Sequence, residues 1–209
     1  MRSHHIGIFQ CPICHTTSNA EFSHDSLANT EGYQSPLWLG LISQLSRLLL
    51  CRPSRLNINT EVSDVALQAG CAACTGFRAL QKKRQIAQPW LVVITQFQAG
   101  VTILYIILTR RTIPLPKEAD LAIRDCTSVL AILADRWQNA EHYRDCFEVL
   151  ARAIPRSERV GALEAEARRE LRGLMGKVVE AGVHRHVETM LWEMAGREGD
   201  VGVEMEMEI

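Results

Sequence analysis

The sequence has 209 residues, room for one domain with a sizeable core and too few for two full ones. Hydrophobic residues make up 47% and charged residues 22%, as in soluble globular proteins, while aromatic content is only 6% and the usage leans towards helix formers. A formal net charge of −1, with basic runs only at Lys82, Lys83, Arg84 and at Arg110, Arg111, argues against a chain that grips nucleic acid through its phosphates.

In chain order, residues 1–36 read as a polar, disordered leader: "TTSNAEFSHDSLANTEGYQSP" (16–36) carries turn formers and no sustained apolar period. Order is expected from about Leu37, where "LWLGLISQLSRLLL" has enough leucine for a buried helix and Pro53 stops it. Val62, Val65, Ala66, Ala69, Ala73, Phe77 and Leu80 then recur at helical spacing, which puts Cys71 and Cys74 on a helix.

"WLVVITQFQAGVTILYIILT", Trp90 to Thr109, holds no formal charge over a length that would span a bilayer. Basic flanks and Trp90 at one edge suit a single membrane span. Gln96 and Gln98 near its middle, and the amphipathic helices that follow and need an apolar partner, suit a central core helix instead. The core helix is the reading adopted, with the membrane span as its rival.

"PLPKEAD" (114–120) opens the next helix, with Asp120 favourably placed near the positive helix end. Ala122, Cys126, Val129, Leu130, Leu133 and Trp137 form one face; Ala140, Tyr143, Phe147, Leu150, Ala151 and Ile154 form another. This pattern predicts two antiparallel helices joined by a tight turn, with Asn139 capping the second and Pro155 closing it. Val160, Leu163, Ala167, Leu171, Leu174 and Val178 predict a further helix despite Gly161, Gly173 and Gly176, and "VHRHVETMLWEM" (183–194) a last short one. No strand, hairpin or repeat signal is present.

The fold class expected is therefore all-α: a single helical domain of about six to eight helices over residues 37–195, between the leader and an acidic, frayed tail at 196–209. Trp90 to Leu108 should be its most buried element, with the 120–154 hairpin packed on it. Phe97, Leu104, Leu130, Trp137, Tyr143 and Phe147 are the expected core.

Cysteine and histidine spacing offers the only hints of chemistry. Cys11 and Cys14, with His15 behind them, make half of a structural zinc site, which needs four ligands. His4, His5 or His24 would complete it only irregularly. The other C-x-x-C pair, Cys71 and Cys74, lies in a helix, whereas zinc knuckles occupy turns and a thioredoxin-like pair needs a preceding strand. His184 and His186, two apart, suit chelation poorly and read as a solvent-exposed pair. Seven cysteines, an odd number, with no secretory-type apolar stretch, predict mostly free thiols in a reducing compartment. No phosphate-loop, nucleophile-elbow, metalloprotease or dinucleotide motif occurs. No catalytic, cofactor-binding or metal-ligating residue is assigned, and the expectation is a protein that is not an enzyme and holds no cofactor. A small zinc or redox protein using the C-x-x-C pairs is the remaining alternative.

Three blocks, "LSRLLLCRPSRLN" (45–57), "PWLVVITQFQAGVTILYIIL" (89–108) and "CTSVLAILADRWQNAEHYRDCFEVLARAI" (126–154), occur in this order. Together they resemble the C-terminal part of the fungal-specific transcription factor domain, the helical regulatory region of fungal zinc binuclear-cluster transcription factors. The third block is the most specific, and the similarity runs from about Leu37 to Ile154. The resemblance implies a nuclear regulator of RNA polymerase II transcription whose helical region works through effector or dimer contacts, and it implies a core helix at 89–108.

One departure limits that implication. In the family, six cysteines hold two zinc ions and place a short helix in the DNA major groove. Here Cys14 is followed by no cysteine until Cys51 and by no basic run, so neither zinc nor DNA contact is carried over to any residue. Protein partners or self-association are expected in place of direct nucleic-acid binding, in either a truncated or a stand-alone form of the regulatory region.

Overall fold

A computed structural model describes residues 35–86, 88–111, 114–154 and 165–196. These form seven helices and, among the described residues, no strand: α1 (Pro36–Leu50), α2 (Glu61–Lys82), α3 (Pro89–Arg110), α4 (Lys117–Ala134), α5 (Gln138–Arg152), α6 (Ala165–Glu180) and α7 (Arg185–Ala195). The all-α expectation and its helix count hold. The expected leader and acidic tail fall outside the described residues except at Ser35, Pro36 and Gly196.

α3 is the axis of the fold. Its apolar side chains point in every direction, and α2, α4, α5 and α7 all pack on it. Phe97, Val101, Ile103, Leu104 and Ile106 are fully buried, each worth about 1.5–3 kcal/mol of transfer from water. By length and composition it is the one described helix able to cross a bilayer, yet 72% of its most apolar stretch is covered by the rest of the chain. Two glycines allow the close approaches. A Cβ on Gly70 would sit 3.0 Å from Ile103 Cγ1, and one on Gly100 only 2.5 Å from Phe147 Cε2 and 2.6 Å from Cys126 Sγ. Gly70 thus seats α2 on α3, and Gly100 lets α4 and α5 converge on it.

The amphipathic hairpin packs as its periodicity requires. Ala122, Cys126, Val129, Leu130 and Leu133 of α4, and Ala140, Tyr143, Phe147 and Leu150 of α5, are all buried, as is Ile154 beyond α5. Glu118 and Asp120 occupy the first turn of α4, where the helix dipole favours negative charge. The turn differs from expectation in one respect. Trp137, not Asn139, is the N-cap of α5, and no side chain caps it. The α4–α5 link is short, the Trp137 amide still bonding back to Leu133 O at 3.1 Å, so Trp137 falls at the cap position and Asn139 inside α5. Trp137 is consequently half-buried, while the other five expected core residues are fully buried.

Two further expectations need correction. α1 is not a buried helix: Leu41 and Leu48 are covered, but Leu39, Ile42, Leu49 and Leu50 are exposed, because α1 rests on α2 and barely reaches α3. Val62 and Val65 are likewise exposed at the start of α2, so its buried stripe begins with Ser63 and Ala66. Ser35 caps α1 through its Oγ, which accepts from the Trp38 amide at 3.2 Å, with Pro36 opening the helix.

α6 continues through Gly173 and Gly176, and nothing lies within 4 Å of a Cβ built on either. Replacing both by alanine should therefore stabilise the protein by about 1–2 kcal/mol through helix propensity alone. A urea midpoint that stays the same or falls would show that these positions are not open helix surface.

Candidate functional site

The sequence-marked chemistry disperses in the structure. Cys11, Cys14, His15, His4, His5 and His24 lie outside the described residues. Cys74 is fully buried on α2 and within hydrogen-bonding reach of the Cys126 thiol on α4, while Cys71 is half-buried. Among the described residues no group of three or more His, Cys, Asp or Glu side chains is arranged to hold a metal. Within the helical C-x-x-C pair, Cys74 is a packed core side chain.

The pair's thiols are held protonated. The hydrogen bond with Cys126 and burial push Cys74 well above the usual thiol range, and burial takes Cys71 and Cys146 up to about 12. The thiolate is the nucleophile, which slows Cys71, Cys74 and Cys146, and full burial shuts Cys126 off from reagent, so native protein at pH 8 should be alkylated at the partly exposed Cys51 well before these four. Site-resolved mass spectrometry after timed iodoacetamide treatment checks the order. Equal labelling of Cys51 and Cys126 without unfolding would contradict it.

Of His184 and His186, expected to be a solvent-exposed pair, His184 is exposed and His186 is not. His184 is the N-cap of α7, its Nδ1 accepting from the His186 amide at 3.1 Å. His186 is half-buried, and its pKa is lowered first by burial and then by Arg52. Beside α7, Tyr105 donates its hydroxyl proton to Glu193, which also pairs with Arg55 at 3.3 Å. Burial, then that carboxylate, raises the Tyr105 pKa, so this group is a fixed donor that fastens α7 to α3.

Gln96 is the polar anomaly of the core. It is fully buried on α3, and neither its Oε1 nor its Nε2 has a partner among the described residues, although its backbone carbonyl accepts from Cys126 Sγ at 3.5 Å. Two unpaired buried polar atoms cost free energy that an isosteric apolar side chain would not. Gln96→Met should raise stability by about 1–2 kcal/mol. A loss of stability on urea titration would mean that Gln96 has polar partners.

Among the described residues, a groove of about 530 Å³ lies where the end of α2, the start of α3 and the α4–α5 turn meet. Ile86, Pro89, Ile132, Leu133 and Trp137 make it apolar, while Arg84 and Arg136 stand exposed along it. Local backbone geometry presents Arg84. α2 ends in a Schellman motif, with the Gln85 amide on Leu80 O at 2.9 Å, the Arg84 amide on Gln81 O at 3.0 Å, and Arg84 itself at φ 58°. That left-handed position ordinarily takes glycine. From the groove an aromatic series runs inwards: Trp137 to Trp90 at 6.2 Å, Trp90 to Tyr143 at 5.9 Å, and Tyr143 to Phe97 at 5.1 Å between ring centroids. Tyr143 ends hydrogen-bonded to Gly182 O at 3.0 Å, with burial pushing its pKa up to about 12.

The described residues that line this groove, with two arginines over an apolar floor, form a surface able to hold an anionic, partly apolar ligand. The two arginines lie far apart in sequence, and only the fold brings them together. The sequence marks Lys82, Lys83 and Arg84 as a basic run but gives no signal pairing them with Arg136.

The class defined by these observations is an all-helical protein wrapped around one central apolar helix. Comparisons with protein-family models, curated proteins and solved structures found no match.

Proposed function

We propose that this chain is a noncatalytic regulatory domain of the fungal zinc-cluster transcription factor type, acting in the nucleus through protein contacts. The reading is carried by the three ordered sequence blocks at 45–57, 89–108 and 126–154. The all-helical fold is in keeping with it: the second block is most of α3, and the third is most of the hairpin packed on α3. The six-cysteine DNA-reading pattern does not occur in this sequence, and the net charge of −1 offers no phosphate-binding surplus, so the proposal assigns no DNA contact to these residues.

The test is tethering. The full chain, fused to an unrelated DNA-binding module and placed upstream of a reporter in a fungal host, should change transcription several-fold in either direction. An unchanged reporter with the fusion expressed and nuclear would defeat the reading. Recovery of the untagged chain in carbonate-washed membranes would replace it with the membrane-span alternative.

A further inference from the structure

We propose that the Arg84–Arg136 groove receives the chain's own C-terminal acidic segment, residues 197–209, in cis. The inference is independent of the transcription reading and stands on complementarity between a surface and a sequence.

The groove has an unsatisfied charge. Neither Arg84 nor Arg136 takes part in an ion pair among the described residues, and no carboxylate lines the groove. Lys82 and Lys83, both exposed, adjoin Arg84 and add to the positive field. Between the arginines lie half-buried apolar side chains, Ile86, Ile132 and Trp137 among them. A fitting ligand therefore carries several negative charges interleaved with apolar groups.

Residues 197–209, "REGDVGVEMEMEI", have that composition. Glu198, Asp200, Glu204, Glu206 and Glu208 are interleaved with Val201, Val203, Met205, Met207 and Ile209, against a single Arg197. From Val203 onwards acid and apolar residues alternate strictly. In an extended backbone, alternation puts one kind on each side, so methionines can lie on the apolar floor while long guanidinium arms reach round to the carboxylates.

The reach suffices. A Cβ on Gly196 would lie 3.9 Å from Arg168 of α6, and the α6 start is tied to the end of α5 by the Arg152–Glu170 pair at 3.0 Å. The groove lies at the other end of α5, beside Trp137. A helix of that length spans roughly 22 Å. The segment from 197 to 209 can extend over roughly 40 Å.

Zero-length carbodiimide cross-linking of the full chain, read by mass spectrometry, tests the contact, because it joins carboxylates to lysine amines only where they touch. Links from Lys82 or Lys83 to Glu204, Glu206 or Glu208 are expected at low salt. They should fall at least several-fold in 1 M NaCl and in the Arg84→Glu, Arg136→Glu double variant, whose altered side chains are on the surface. Equal tail links to Lys117 and Lys177 would overturn the proposal, as would no tail links or links insensitive to the charge reversal. In a mixture of isotope-labelled and unlabelled chains, links found only between copies would equally overturn the cis contact.

Discussion

Phe147→Ala is expected to lower the unfolding free energy by about 3–5 kcal/mol. The ring is fully buried on α5 and reaches the point on α3 where Gly100 has no side chain, so its removal opens a cavity between α3 and α5. That cavity can close only partly, because Cys126, which meets the same point on α3, is itself fully buried and a packed core relaxes incompletely. Against a total stability of about 5–15 kcal/mol for a domain, a loss of this size is visible in a urea titration as a lower midpoint at unchanged slope. Trp137→Ala, at a half-buried position on the groove wall, should cost less than Phe147→Ala. The sequence alone predicts equal losses for the two. A loss below about 1 kcal/mol for Phe147→Ala, outside the range for large core truncations, would contradict the packing of α5 on α3.

That contrast shows how far periodicity carries. Phe147 and Trp137 both continue an apolar face at helical spacing, and spacing says which side of a helix is apolar. It does not say where the helix stops. α4 ends at Ala134, so Trp137 leaves the face it prolongs in the sequence and becomes the cap of the next helix. The same limit explains α1. Its leucines predict burial, but how much of them is covered depends on whether a second layer lies outside α1, a tertiary fact with no local signature. The helices that surround α3 were legible because each has one apolar stripe and α3 is apolar all round. The groove was not legible, because it joins Arg84 at the end of one helix to Arg136 in a distant turn.

Gly100→Leu is the second large effect, expected at about 3 kcal/mol or more of destabilisation from overpacking. Glycine's backbone freedom plays no part here, since Gly100 lies within a regular helix. In such a place glycine is worse than alanine by about 1 kcal/mol, so propensity alone would make substitution by alanine or leucine favourable. Packing opposes it. A Cβ would be 2.5 Å from Phe147 Cε2 and 2.6 Å from Cys126 Sγ, and both atoms belong to fully buried side chains with nowhere to move. Gly100→Ala should accordingly be destabilising, while Gly173→Ala, with nothing within 4 Å of its Cβ, should be stabilising. The chemical change is identical in the two variants, so a difference in sign isolates the packing term. If both alanine variants were stabilised alike, α4 and α5 would not converge on α3 at Gly100, and the central crossing of the fold would be wrong.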